Sequence, residues 1–549
     1  MKNNKFLVII LTAALSFSST SCSDRYLDVN DNPNAVQAEN ITPELMLPGA
    51  LTTAYRTQAG TMMQFGNLMM NSWAGNSYTI AGPFSREFSL ASVDNTFYRG
   101  IWEGLYPRIA NFDQMEKFAN NNHEQDYYIA IAKIMKAYYM QYIVDLYGDC
   151  PYAEAFKGQQ NTTPKYDNDV DIYKDLISKL EEANALINAA KNTPSIVPLD
   201  PVSDIVFAGD MDKWLALSNT IKLKMLLRMS KVTGDLETYR NAKLQTLANA
   251  IFIDEEVKVN PGYSSASDDK MNPYILNWAR NASGQQVSNY AVVVVSEHMA
   301  NALEGNVILN DSNYSKFNGI KDPRRSRLFT TVSSVDANGL PFNGLKGVRQ
   351  GNVPGQPGVP VTNVNTSKLG IGNFSGGVAV ANWGDVITQN NLRGGVLFSK
   401  AESNLLQAEA ALRWPSIFTT ITASTKFNTA ITANGAWVGA NTAQVTTYIN
   451  NANTRPGLGW AGTDTQKIEA IMTQKWIALT NINPTEMFIE YNRTGYPYTP
   501  MATTAQYPNK PYRLVYPNSE YAANSSNVPN ITSADVFVKN QYTPFWNQN

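Results

Sequence analysis

Three segments of this chain place aromatic rings beside amide side chains. In the first, over residues 71–78, Trp73 and Tyr78 alternate with Asn76 and with small residues. A flat indole ring can stack on the apolar face of a pyranose, while an amide donates to and accepts from the sugar hydroxyls. This composition predicts that Trp73, Asn76 and Tyr78 contact a polar, ring-shaped ligand. The alternative is that Trp73 fills the hydrophobic core beneath the loop.

Two more segments repeat this composition. Asn277 and Trp278 are adjacent, and Tyr290 follows them a short way along the chain. Trp383 lies in a glycine-rich stretch, residues 343–395, which we expect to be a long polar loop. Loops of this length are usually functional or disordered. Asn277, Trp278, Tyr290 and Trp383 are therefore further candidate ligand contacts.

Two glutamates raise the question of hydrolytic chemistry. Glu402 and Glu409 are seven positions apart, which places them on one face of a predicted helix. Glycosidases hold their two carboxyl groups about 5 to 9.5 Å apart across the scissile bond. Two helical turns separate these residues by roughly 10.5 Å in rise alone, so we interpret both as structural partners of basic residues. Arg493 lies at a predicted helix end and is expected to pair with Glu486 or Glu490.

The chain offers little material for histidine or thiol chemistry. His123 and His298 are its only histidines, so we expect neither a histidine metal site nor a Ser–His–Asp triad. His298 is predicted to lie on the polar face of a helix. Cys150 is predicted to be a small buried thiol. None of the common metalloprotease, nucleotide-binding or calcium-loop motifs occurs, and we expect no catalytic residue, no metal and no cofactor.

Amphipathic helices must position these loops. Apolar residues recur at helical spacing in five segments, and small residues among the larger ones allow helices to pair closely. In one of these helices Lys222, Lys224 and Arg228 are predicted to mark the solvent side. The predicted fold is all-α, a stack of helix pairs that carries long irregular loops. The five segments are residues 126–147, 172–190, 212–231, 396–413 and 465–480.

The N-terminus has the pattern of an export signal. Lysines precede an apolar run, residues 6–15, and small residues lead from it to Cys22. The run is too short for a bilayer, which takes about 20 residues, but suits a signal peptide. A cysteine at this position is where a bacterial lipoprotein is cut and acylated, and two acyl chains anchor a protein durably. We predict a signal peptide over 1–21 and a lipidated tether over 22–40. The alternative is ordinary secretion with an incidental cysteine.

The composition argues against a nucleic-acid-binding protein and against a disulfide-stabilised fold. The net charge is −2 and only 16% of residues are charged. The chain therefore lacks the excess of positive charge that binding to nucleic acid requires. Cys22 and Cys150 are the only cysteines, so a disulfide framework is not expected. With 43% apolar residues, a large core must hold the fold instead.

Four stretches that occur in order are similar to one known family. They combine a polar start of the mature chain, a Tyr-Gly-Asp turn, an alanine- and glutamate-containing helix and an arginine-containing helix end. Together they resemble the SusD/RagB family of outer-membrane nutrient-binding lipoproteins of Bacteroidetes. Asn492 and Cys150 depart from its pattern. The stretches are Cys22 with residues 27–34, residues 146–152, residues 401–410 and residues 474–521.

The resemblance implies a single α-helical binding domain over residues 41–549, built on tetratricopeptide-like helix pairs. It implies a non-enzymatic, lipid-anchored protein of the outer membrane, exposed at the cell surface, whose ligand is an oligosaccharide or a peptide. It also implies a partner, a TonB-dependent (SusC-like) outer-membrane transporter. Two alternatives stay open at this point: a lipid-anchored glycoside hydrolase, and a helical-repeat scaffold that recruits other proteins.

Overall fold

Helices form most of the regular structure. None of the described helices is both long and apolar enough to cross a membrane. The predicted signal peptide, Cys22 and the tether over 22–40 lie outside the described residues. The computed structural model describes residues 41–307, 311–335, 341–360 and 365–548.

The helices fall into an N-terminal and a C-terminal group, with shorter helices between them. A π-helical turn, Gln58–Met62, links the first two. In chain order they are α1 Pro43–Thr57, α2 Met63–Met69, α3 Ser85–Ser89, α4 Gly100–Glu116, α5 Asp126–Tyr147, α6 Asp169–Ala190, α7 Met211–Arg228, α8 Asp235–Gln245, α9 Pro273–Trp278, α10 Ser288–Val292, α11 Glu297–Glu304, α12 Ser312–Ser315, α13 Arg325–Leu328, α14 Gly372–Ser375, α15 Trp383–Arg393, α16 Lys400–Arg413, α17 Ala423–Val438, α18 Thr442–Ala452, α19 Asp464–Leu479, α20 Pro484–Thr494 and α21 Asn518–Ala523.

The described strands are short and pair two by two, always antiparallel. β1 pairs with β5, β2 with β3, β4 with β8 and β6 with β7. They are β1 Trp73–Gly75, β2 Cys150–Pro151, β3 Tyr166–Asp167, β4 Val257–Val259, β5 Val293–Val295, β6 Val332–Val335, β7 Pro341–Gly344 and β8 Gly395–Phe398.

Polar side chains fix where the long helices begin. Asp210 caps α7 by accepting from the backbone amides of Asp212 and Lys213. Ser399 caps α16, and Thr463 forms a capping box at the start of α19. Each cap satisfies backbone donors that have no partner inside the helix, and is worth roughly 1 kcal/mol.

Consecutive helices pack side by side, which confirms the predicted helical stack. α4 packs on α5, α5 on α6 and α6 on α7, and in the C-terminal group α16 packs on α17 and α17 on α18. α7 also packs on α16 and thereby joins the two groups. In α5, the residues outside the core are Tyr127 and Lys133, so this helix is the centre of the N-terminal group.

One prediction about α7 is wrong. Lys222, Lys224 and Arg228 do not mark a solvent side, because all three side chains are buried. α6 and α16 cover the helix, and acidic side chains replace water as partners of its cations. Lys224 lies 2.7 Å from Glu486, and Lys222 lies 2.5 Å from Glu181. Helical periodicity identifies the faces of a helix but does not show that a polar face is buried against carboxylates.

A buried ion network connects α7, α16 and α20. Arg228 contacts Glu486 at 2.7 Å and Glu490 at 2.6 Å. Arg493 pairs with Glu490, and also with Glu409 at 2.7 Å. The predicted partner of Arg493 is therefore confirmed for Glu490. Burial raises the pKa of the Glu490 carboxyl, but the charges of Arg493, Lys475 and Arg228 lower it well below its usual range.

Candidate ligand-binding face

The β1–β5 ribbon brings two of the three predicted loops together. In its register Trp73 lies opposite Val295 and Gly75 opposite Val293. Beyond the ribbon, Asn76 continues the contact: its backbone amide donates to the Val292 carbonyl at 2.7 Å. Its side-chain amide donates to the Ala291 carbonyl at 3.1 Å. The loop over 71–78 and the segment that follows Tyr290 therefore form one surface.

Trp73 and Trp278 meet below this surface. Their rings pack edge to face with centroids 4.7 Å apart. The Trp73 indole donates to Asn481 Oδ1 at 2.7 Å, and the Trp278 indole donates to the Ala59 carbonyl in the π-helical turn at 2.7 Å. The rings are 0% and 2% exposed. The structure contradicts the prediction that they contact ligand, because stacking needs an accessible face, and the core alternative for Trp73 is the observed one.

Trp73→Phe tests this correction. The substitution leaves the buried Asn481 Oδ1 without its donor, which should lower the free energy of unfolding by about 1 to 3 kcal/mol. The affinity for any oligosaccharide should not change. Urea-induced unfolding measures the stability and calorimetry measures the affinity. Trp383→Phe, at a half-buried position, is the matched variant for the unfolding measurement. A Trp73→Phe protein that unfolds like the wild type but loses binding would make Trp73 a ligand contact.

The other predicted contacts differ in exposure. Asn76 is fully buried, and Tyr290, 7% exposed, donates its hydroxyl to the Leu369 carbonyl at 3.2 Å. Both side chains organise the loops, and their burial contradicts a direct contact with ligand. Tyr78, Asn277 and Trp383 are half-buried and keep accessible surface. They stay candidate contacts.

Trp383 is held in place by an arginine. The Arg280 guanidinium lies 3.9 Å from the Trp383 ring centroid and 4.9 Å from that of Tyr290. Tyr290 itself packs edge to face on Trp383, with centroids 5.4 Å apart. Trp383 begins α15, so the stretch over 343–395 is not one long loop as expected. Asn382 caps this helix, a local signal that the glycine-rich composition obscured.

A groove of about 420 Å³ borders the same ribbon. Ser77, Ser85, Asn352 and Arg86 contribute polar atoms to it, and Phe88 an apolar side chain. Ligand pockets are commonly 300–1,000 Å³ and combine apolar area with a few oriented polar groups. The groove fits that description.

Two arginines of this groove are fixed by hydrogen bonds. The Arg349 guanidinium contacts Glu297 twice, with Nε to Oε2 at 2.5 Å and Nη2 to Oε1 at 3.0 Å. This hydrogen bonding raises the pKa of Arg349. Arg86 donates to Asp94 Oδ1 at 3.1 Å and to Thr96 Oγ1 at 3.0 Å. Guanidinium groups held in this way can donate to sugar hydroxyls with little loss of side-chain freedom.

A second cavity, of about 190 Å³, also has Arg349 in its wall. His298 lines it and is only 6% exposed, so the prediction that this histidine lies on a polar face is wrong. Burial, with the nearby charges of Lys316 and Lys510, lowers the pKa of His298 to about 3. The imidazole is therefore neutral at neutral pH. Arg349 lines both cavities.

The two glutamates considered for hydrolysis lie elsewhere, inside the ion network. Glu409 contacts Arg413 and Arg493, each at 2.7 Å, and Glu402 lies 3.6 Å from Lys224. Both are buried, as structural partners of basic residues should be. Among the described residues, no group of three or more His, Cys, Asp or Glu side chains is placed to hold a metal ion.

Comparison with known proteins identifies the family. A sequence model of SusD-like proteins, described as starch-binding and associating with the outer membrane, matches residues 33–517. The chain belongs to this family. Membership confirms the resemblance seen in the sequence and places this SusD-like chain among outer-membrane-associated proteins that bind glycans. No curated protein sequence matches the chain.

Solved structures confirm the fold. A chitin-binding protein is 22% identical, with a TM-score of 0.64 over 88% of this chain and 95% of its own. A SusD-like protein from Bacteroides thetaiotaomicron is 22% identical, with a TM-score of 0.61 over 88% of this chain and 94% of its own. A chitin-binding SusD homologue from Flavobacterium johnsoniae is 18% identical, with a TM-score of 0.60 over 88% and 94%. The predicted all-α, SusD-like frame is therefore correct.

Proposed function

We propose that this SusD-like protein captures an oligosaccharide at the bacterial surface and passes it, uncleaved, to a TonB-dependent outer-membrane transporter. The family match over residues 33–517 carries the proposal. Two of the structurally similar proteins are described as chitin-binding, which favours a glycan over a peptide. The lipid on Cys22 and the tether over 22–40 would keep the binding domain beside the transporter.

The groove is suited to capture. Binding without chemistry requires complementarity to the ground state of the ligand and no group that stabilises a transition state. Serine hydroxyls, Asn352 and two fixed guanidinium groups can hydrogen-bond hydroxyls, while Val353 offers apolar area to a ring face. Val353 is 46% exposed, so a ligand would cover it on binding.

The carboxylates favour binding over hydrolysis. Glu297 is the only acidic side chain among the described residues that line the two cavities, and both of its oxygens contact Arg349. A glycosidase of the usual kind needs a second carboxyl group across the scissile bond. The ion-paired Glu402 and Glu409 are too buried to supply it.

Affinity purification tests the transporter step. The chain is expressed in its source bacterium with an affinity tag at its C-terminus. A TonB-dependent transporter should co-purify with the tagged protein from detergent-solubilised outer membranes. Cys22→Ser should release the protein from the membrane fraction and reduce growth on the captured glycan, while leaving the affinity of the purified protein unchanged. A tagged protein that stays at the outer membrane but recovers no transporter would contradict the proposal.

A further inference from the structure

A cleft of about 390 Å³ lies at the surface beside α18. Lys321 and Arg325 supply one wall, and α18 supplies the other. We call this site the cationic cleft. It shares no lining residue with the groove at the β1–β5 ribbon or with the cavity at His298. Its volume is in the usual range of ligand pockets, about 300–1,000 Å³. The chain therefore has a second site of ligand size, to which the proposed function gives no role.

The first wall of the cationic cleft carries more positive than negative charge. Glu304 pairs with both cations: Lys321 Nζ lies 3.1 Å from its Oε2, and Arg325 Nε lies 3.0 Å from its Oε1. The Glu304 side chain is only 9% exposed and does not line the cleft. One carboxylate cannot neutralise two cations, so one positive charge is left in excess. In the described part of the chain Arg325 donates only through Nε, which leaves both of its Nη groups for a ligand.

The second wall is polar and uncharged. α18 places Gln444, Thr447 and Asn451 on one face, at spacings of three and four residues, and all three are exposed. No charged residue occurs from Phe427 to Thr454. Among the described residues, no acidic side chain lines the cleft. The cationic cleft therefore offers cations to an acidic group, and amide and hydroxyl groups to its surroundings, without a carboxylate that would repel the acid.

A buried arginine fixes the two walls relative to each other. Arg324 pairs with Asp322 at 2.6 Å, between the two cations of the first wall. Its guanidinium lies 5.4 Å from the ring centroid of Tyr448 in α18 and donates to Gln474 Oε1 at 2.8 Å. The Gln474 amide in turn donates to the Tyr448 hydroxyl at 3.0 Å. All four side chains are buried, so the cleft is formed before a ligand arrives, which lowers the cost of binding.

From this arrangement we infer that the cationic cleft is a second glycan site, which binds a sugar that carries a carboxylate or a sulfate group. Lys321 and the Nη groups of Arg325 would contact the acidic group through charge-assisted hydrogen bonds. Gln444, Thr447 and Asn451 would donate to and accept from the sugar hydroxyls. A free inorganic anion would leave this uncharged wall without a role. The choice of a glycan rests on the proposed function, whereas the place of the site does not.

Pairs of acidic and neutral tetrasaccharides test the inference. Tetragalacturonate and its methyl ester share one backbone, and so do a sulfated and a desulfated carrageenan tetrasaccharide. In calorimetry on the full mature chain at low salt, the acidic member of at least one pair should bind at least roughly tenfold more tightly. Added salt should reduce this preference, because it screens exposed charges. Equal or undetectable binding within both pairs would overturn the inference, as would equally tight binding of inorganic sulfate. Neutral oligosaccharides test the groove separately, so the proposed function would stand or fall on its own result.

Two variants assign the preference to the cationic cleft. Lys321→Gln should weaken binding of the acidic tetrasaccharide by about three- to fivefold, as expected for one exposed ion pair, and leaves Glu304 paired with Arg325. Lys117→Gln is the matched control and should bind like the wild type. Lys117 is 58% exposed and lies 2.7 Å from a buried carboxylate, whereas Lys321 is 55% exposed.

Thr447→Trp fills the cationic cleft without changing its charge. Thr447 is exposed, and its hydroxyl donates to the Ala443 carbonyl of the same helix, so the fold should tolerate the substitution. The preference for the acidic tetrasaccharide should fall to within about twofold, the value expected when its hydrogen bonds are lost. Binding of neutral oligosaccharides should not change in Lys321→Gln or in Thr447→Trp. An unchanged preference for the acidic member in either folded variant would overturn the inference.

Discussion

Arg228→Met should lower the free energy of unfolding by about 3 to 5 kcal/mol, the usual cost of removing one partner from a buried ion pair. Arg228 is fully buried and contacts three carboxylates, at 3.2 Å from Asp145, 2.7 Å from Glu486 and 2.6 Å from Glu490. Methionine keeps much of the side-chain volume but supplies no charge. The carboxylates would then be buried with fewer partners.

The same helix supplies the control. Lys213, in the first turn of α7, lies 2.8 Å from Glu255, and these side chains are 40% and 45% exposed. Water and salt screen such a pair, so Lys213→Met should cost at most about 1 kcal/mol. Urea-induced unfolding followed by circular dichroism compares the two variants. Similar losses in both would contradict the view that the buried network joins the two helical groups.

Arg349→Ala should weaken oligosaccharide binding by roughly 10- to 100-fold, which corresponds to one or two lost hydrogen bonds from a charged donor. Arg349 is half-buried, lines both cavities and has its guanidinium fixed by Glu297. The substitution removes the donor and leaves the Glu297 carboxylate without this partner at the ligand face. Stability should change little, since the Arg349 and Glu297 side chains are 32% and 18% exposed.

A matched arginine separates binding from folding in this experiment. Arg99 lies 3.7 Å from Glu103, and these side chains are 49% and 35% exposed. Arg99 lines neither cavity, so Arg99→Ala should bind like the wild type. Calorimetry on both variants, with unfolding curves as a check, measures the difference. Ser85→Trp, which fills the groove from an exposed position, should weaken binding as well. Unchanged affinity in both Arg349→Ala and Ser85→Trp would show that the ligand binds outside this groove.

The sequence predicted the helical frame well, because long helices have strong local signals. The helix over 126–147 begins and ends where the pattern places it. The segment over 396–413 was less simple, since Gly395–Phe398 forms a strand on Val257–Val259 before α16 begins. That pairing joins residues far apart in the chain, so the local periodicity of the sequence cannot predict it.

The site was predicted only in part, for the same reason. Aromatic and amide composition located the right region, but it could not show that the Trp73 ring packs on Trp278 below the surface. Arg349 lies within the glycine-rich stretch singled out in the sequence, yet its role depends on Glu297, a distant residue. His298 had no sequence signal as a cavity wall. The contacts that bury it, with Tyr314 and Trp476, exist only in the folded chain.

Titration with intact oligosaccharides distinguishes capture from hydrolysis and from the absence of glycan binding. The purified mature chain is titrated by calorimetry with starch-, chitin- and mucin-derived oligosaccharides, and each ligand is recovered afterwards and analysed by mass spectrometry. We expect saturable binding of at least one oligosaccharide, which is recovered at its original length, and loss of that binding in Arg349→Ala. Folded protein that binds none of them, or that returns its ligand shortened, would contradict the proposed function.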